Sequence, residues 1–190
     1  LAMLASGMGL AGVGLAAPAA AAGEGTPPLG VFIPAAPPLP APKISFADAA
    51  GRKFDLADFA GKVVIVNLWA TWCAPCRREM PSLERLQTRL GDKITILAIS
   101  EDTRGEKAVA PFVAKLGLKS VKTYLDPKSI VAQAFKVEGL PTSFLIDRNG
   151  RVRGRVVGEA KWDSPKMLAI IDPLLSEGEV VKTSFPSAHP

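Results

Sequence analysis

The chain has 190 residues, 48% of them hydrophobic and 22% charged, with a formal net charge of +5 at pH 7. That composition fits one soluble globular domain with appendages. Its two cysteines and single histidine, His189, leave no four-ligand set for a zinc site within the chain, and the moderate positive charge comes with no nucleic-acid-binding motif.

Residues 1–22 carry no charge and consist almost wholly of Leu, Met, Val, Ala and Gly. They suit either an export signal ending at Ala20, Ala21 and Ala22 or an uncleaved anchor helix, and both imply export. Residues 23–42 contain Pro27, Pro28, Pro34, Pro37, Pro38, Pro40 and Pro42. Such a stretch is expected to form neither a ladder nor a helix and to serve as a stiff spacer. Within it, Val31, Phe32 and Ile33 are suited to docking on the domain. A folded domain is expected over residues 43–176, with 177–190 as a tail.

In that domain, Ile44 to Phe46 and Lys53 to Leu56 alternate around turn residues, which predicts a hairpin. Val63 to Trp69 is an apolar, β-branched run of the kind that is buried on both faces. From Pro75, apolar Met80, Leu83, Leu86 and Leu90 recur at helical spacing. A second buried strand is predicted over 93–100, a helix over 107–116, a short strand over 121–125 and a short helix over 129–135. This alternation predicts a parallel sheet with helices on its faces. Residues 142–147 and 151–157, joined by Arg148, Asn149 and Gly150, read as a hairpin. Arg151, Arg153 and Arg155 should then share one solvated strand face. Asp163 or Ser164 caps a last helix.

Cys73 and Cys76 fall where the first buried strand turns into a helix. Backbone N–H groups and the positive end of the helix dipole at that place stabilise a thiolate. The spacing lets the two sulfurs meet, so Cys73 can attack a disulfide and Cys76 can resolve the mixed disulfide. Pro75 fits the first turn, where a missing N–H costs nothing. The competing reading is a purely structural disulfide in an exported protein.

The run W-A-T-W-C-A-P-C-R-R-E-M-P resembles the TlpA, ResA and CcmG-like branch of the thioredoxin superfamily. The stretch Val137-Glu138-Gly139-Leu140-Pro141-Thr142 supports this, because it resembles the cis-proline strand of that family. The resemblance covers roughly residues 43–175. It implies a thioredoxin-like α/β fold: a central mixed sheet flanked by helices, with an added N-terminal hairpin and a strand–helix insertion. It further implies an extracytoplasmic thiol–disulfide oxidoreductase anchored to the inner membrane and fed by a membrane-embedded thiol donor. Its members reduce haem-site cysteines of apocytochrome c or cysteines of copper-site assembly proteins. No cofactor beyond the Cys73–Cys76 couple and no bound metal is expected, and the chain is expected to act as a monomer without nucleic acid.

The resemblance implies a cis Leu140–Pro141 bond facing the disulfide, and a substrate surface made of Trp72, Pro75, Leu140 and Pro141. In thioredoxins a buried Asp lies six residues before the first cysteine; here Asn67 occupies that position and cannot titrate. Glu79, one turn beyond Cys76 on the same helix face, fits the ResA-like C-x-x-E pattern as the carboxylate that moves the proton of Cys76. The alternative is a solvated helix-surface Glu beside Arg77 and Arg78. Trp69 is expected in the core and Trp162 as a packing residue. Two other functions compete: a copper carrier using Cys73 and Cys76 as soft ligands, and a peroxiredoxin-like peroxidase. The latter expects a P-x-x-x-T-x-x-C setting, whereas Thr71 stands only two residues before Cys73.

Overall fold

Seven consecutive residues with no exposed side chain, Val63–Trp69 (β4), form the middle of the sheet. The computed structural model describes residues 30–177. Strand β4 lies parallel to Ile94–Ser100 (β5) on one edge and antiparallel to Thr142–Ile146 (β7) on the other. Val63, Ile65 and Trp69 enter the core on one face of the sheet and Val64, Val66 and Leu68 the core on the other, which is why the strand is apolar at every position but Asn67. The remaining strands are Val31–Pro40 (β1), Ser45–Ala47 (β2), Lys53–Asp55 (β3), Lys122–Leu125 (β6) and Arg151–Val157 (β8). Together they make one eight-stranded mixed sheet in the order β1-β8-β7-β4-β5-β6-β2-β3. The predicted N-terminal hairpin is β2–β3, attached to the sheet through Ala47 and Leu125.

Among the described residues four α-helices complete the fold: Ala74–Leu90 (α1), Glu106–Leu116 (α2), Ile130–Ala134 (α3) and Pro165–Ser176 (α4). Met80, Leu83 and Leu86 of α1, Val109 of α2, and Met167, Ile171 and Leu174 of α4 share one core with Ile65, Trp69 and Ile96. On the opposite face, Val131 of α3 and Phe135 pack with Leu56, Val66, Leu68 and Phe144. The Ser164 hydroxyl, one of the two expected caps, accepts from the Met167 N–H. This is a thioredoxin-like α/β arrangement.

The N-terminal expectation needs correction. Residues 23–42 are not all spacer, because β1 is a ladder partner of β8, with Val31 opposite Val157 and Pro34 opposite Gly154. The register shifts between Pro34 and Leu39, and pairing resumes at Leu39 and Pro40. Proline is tolerated here because β1 is an edge strand, whose outward side needs no N–H donor. The domain therefore begins at least at Gly30 rather than Lys43, and it extends through Glu177. There Arg153 reaches the Glu177 carboxylate at 2.7 Å, and Arg148 donates to the carbonyls of Leu175 and Glu177. The signal or anchor expectation falls on residues 1–22, outside the described residues. Among the described residues, no helix is long and apolar enough to cross a membrane.

The arginine stripe also differs from expectation. A register shift places Leu145 opposite Gly154 but Ile146 opposite Val152, so β8 carries a bulge at Arg153. Arg153 turns to Asp147 and Glu177 beside α4, while Arg155 lies opposite Phe144 and lines the α3 face. The three arginines do not share a face.

Candidate active site

The chain leaves β4 at Trp69 and reaches Cys73 through a short, fixed loop. Thr71 donates from both its backbone N–H and its hydroxyl to the Asp102 carboxylate, at 2.8 and 2.7 Å. Ser100 Oγ donates to the same carboxylate at 2.8 Å. Asp102, which no sequence signal marks, ties down Thr71, two residues before the Cys73 N-cap.

Cys73 is the N-cap of α1 and is disulfide-bonded to Cys76. The Cys76 N–H points at Cys73 Sγ, 3.3 Å away. This is the donor geometry that would stabilise a Cys73 thiolate. Cys73 keeps 5% of its surface exposed and Cys76 none, so a partner can reach only the first sulfur. Trp72, 68% exposed, stands beside it. Pro75 lies in the first turn of the helix.

Glu79 is buried, 1% exposed, and not on the helix surface. It shares the inward face of α1 with Cys76, three residues earlier. Three donors converge on its carboxylate: Asn67 Nδ2 at 2.8 Å, the Ala160 N–H at 3.1 Å and Trp162 Nε1 at 3.3 Å. Burial pushes its pKa up to about 7; the three hydrogen bonds pull against that rise, and the nearby Glu159 charge adds to it. Asn67 also donates to Ser143 Oγ at 2.8 Å. Ser82 Oγ donates to the Glu79 carbonyl at 2.7 Å, lies 3.3 Å from the Ala160 carbonyl and accepts from the Trp162 N–H, which fixes the 159–162 loop against α1.

Trp162 is thus more than the packing residue expected, because its indole N–H is aimed at the buried acid. Buried indoles tend to find an acceptor, but that was a weak signal here, because Trp69, equally buried, has none for its Nε1 among the described residues. Asn67 left a clearer trace as the single polar residue in an otherwise apolar buried strand, where an unpaired amide is costly.

The Leu140–Pro141 bond is cis. The Pro141 carbonyl accepts from the Gly158 N–H at 2.8 Å, and Thr142 Oγ1 donates to the Gly139 carbonyl at 2.7 Å. Leu140 packs against both cores. With Pro75 and Ala160 it also lines a groove of about 540 Å³.

A helix-capping disulfide with one reachable sulfur, set in a thioredoxin-like sheet, defines a thiol–disulfide oxidoreductase of the thioredoxin superfamily. Residues 37–171 match the Redoxin family, and the chain belongs to it. It is 38% identical over 120 residues to the thiol-disulfide oxidoreductase ResA of Bacillus cereus, covering 63% of this chain and 68% of that protein. It is 37% identical over 120 residues to the thioredoxin-like protein YneN of Bacillus subtilis, covering 62% and 69%. Among solved structures, it resembles a candidate thiol:disulfide interchange protein DsbE from Chlorobium tepidum. That likeness has TM-score 0.67 and 30% identity, and covers 73% of this chain and 97% of that one. It also resembles a secreted thiol-disulfide isomerase from Corynebacterium glutamicum, with TM-score 0.66 and 26% identity over 77% and 92%. The family match begins inside β1, in keeping with a domain that starts ahead of Lys43.

Proposed function

We propose that this oxidoreductase works outside the cytoplasm as a reductant of protein disulfides, in cytochrome c maturation or copper-oxidase assembly. A membrane-embedded thiol donor returns it to the dithiol form, residues 1–22 hold it at the inner membrane, and it acts as a monomer. Its only redox group is the Cys73–Cys76 couple. The observation that supports the reading is the Glu79 carboxyl, buried one helical turn from the equally buried Cys76, where burial pushes its pKa up to about 7.

In the reducing direction, the Cys73 thiolate attacks one sulfur of the partner disulfide and releases the first partner thiolate. Cys76 must then lose its proton before its sulfur can attack Cys73 Sγ. Glu79, with a pKa near the working pH, accepts that proton. The second partner thiolate leaves, two electrons have passed to the partner, and Cys73 and Cys76 are joined again. Trp72, Pro75, Leu140 and Pro141 form the surface on which the partner segment lies.

The test is a glutathione or dithiothreitol titration of Cys73–Cys76 in the full chain. A reductant gives a potential near or below that of thioredoxin, about −270 mV, whereas a value near that of DsbA, about −120 mV, overturns the direction.

A further inference from the structure

Two grooves flank the Leu140–Pro141 turn. The first, about 540 Å³, is floored by Pro75, Leu140 and Ala160 and rimmed by Arg78, Glu159 and Lys161. The second, about 300 Å³, runs past Gly139 and Thr142 on the other side of the turn, with Lys136, Glu138 and Arg155 on its walls. Each rim carries two cations against one carboxylate. Arg77, exposed next to Cys76, adds a further cation. Arg78 is paired with Glu159 at 2.6 Å, but the two side chains are 61% and 36% exposed. A pair that open to water contributes little, so an incoming carboxylate can take Arg78 from Glu159 at small cost.

A partner must bring a sulfur into bonding distance of Cys73 Sγ, which fixes where its neighbouring residues fall. Residues of an extended segment advance by about 3.3 Å each. The first groove begins at Pro75, two residues from Cys73, with Arg78 on its rim, so the side chains next to the partner cysteine are the ones placed to meet it. We propose that the paired cationic grooves select partner segments whose exchanging cysteine is flanked by Asp or Glu, with Arg78 gripping the acidic side chain nearest the disulfide. This rests on the oxidoreductase reading and names its substrate class: acidic protein segments. The exchange itself is unchanged, two electrons passing from the Cys73/Cys76 dithiol to the partner disulfide.

The experiment uses the reduced full chain and three disulfides. Two are peptides identical except for Asp or Lys beside the cysteine, and the third is uncharged hydroxyethyl disulfide. At low ionic strength, kcat/KM for the Asp peptide should exceed that for the Lys peptide by about tenfold, and high salt should collapse the ratio. R78E should bring the ratio to unity or reverse it. R78Q, which keeps most of the side-chain stem without the charge, should lower it and serves if R78E does not fold. Because each ratio is taken within one variant, a general loss of activity cancels. Equal rates for the two peptides in the wild-type chain, or an unchanged ratio in both variants, overturn the proposal while leaving the oxidoreductase intact. Failure of the wild-type chain to reduce even hydroxyethyl disulfide overturns the oxidoreductase reading itself.

Discussion

Around Glu79, two distant parts of the chain supply three donors: an amide from β4, and the Ala160 N–H and Trp162 indole from the 159–162 loop. Along β1, ten residues contribute mostly backbone, laid against β8 with prolines at several positions. The first region is specified by individual side-chain atoms and the second by steric room. They meet at the 157–160 segment. Gly30 donates to the Val157 carbonyl at 2.7 Å, and a side chain at Gly30 would strike the Glu159 carbonyl. Changing one atom should therefore disturb the Glu79 pocket, whereas β1 should respond only to lost length or added bulk.

The largest effect is expected from removing β1. A chain starting at Lys43 exposes β8 and loses the partly buried Phe32 and Ile33. It should be less stable than one starting at Gly30 by on the order of 4 kcal/mol. Urea unfolding of the two chains measures this, and equal midpoints would mean that β1 is the spacer its prolines suggested. The same pair shows whether β1 also steadies the pocket: Glu79 should titrate differently in the shorter chain if the 157–160 segment relaxes.

Next comes Glu79→Gln. The folded state holds the Glu79 carboxyl at about 7, against 4.5 for an ordinary carboxyl. A raised acid favours the folded state fully only below the lower value, and this contribution is lost as pH climbs through the higher one. Over that window the wild-type chain should lose about 3 kcal/mol of stability that the Glu79→Gln variant does not lose. Denaturant midpoints at pH 4.5, 6 and 8 give the comparison. In exchange assays, the resolving step of the variant should slow by about a hundredfold and lose its dependence on pH near 7. Parallel stability curves would place the buried charge elsewhere.

Gly154→Ala probes the opposite region with a smaller change. A methyl group there would overlap the Phe32 ring and the Ile33 carbonyl, so β1 must shift outward. The expected cost is about 1–3 kcal/mol. It should appear in denaturant midpoints at every pH, without the pH slope that marks Glu79.

These differences also explain what could be read in advance. The apolar run of β4, the phase of α1 that places Cys76 and Glu79 on one face, the β2–β3 hairpin and the Arg148-Asn149-Gly150 turn all rest on local periodicity or turn chemistry. Such signals survive in a single sequence. Strand β1 was hidden because a proline-rich composition argues against pairing, and only the sheet order shows that its outer side needs no donors. The bulge at Arg153 was hidden because strict alternation is the default for a strand. Trp162 and Asp102 act on groups far away in sequence, Glu79 and Thr71, and no local pattern links them.

The smallest effect expected is from Trp162→Phe, which removes one donor and little of the ring. The indole reaches Glu79 Oε2 at 3.3 Å, a longer bond than the 2.8 Å one from Asn67. Its loss should cost about 1 kcal/mol where the carboxylate is charged, with Asn67→Leu costing more. A donor to the anion lowers an acid's pKa, so removing it should raise the Glu79 value further and move the pH-sensitive window upward. Below pH 4.5 the carboxyl is neutral in both states, and only the small packing change should remain. If Trp162→Phe costs the same at pH 4 as at pH 8, its indole serves the core alone, and the pocket is held by Asn67 and the Ala160 backbone.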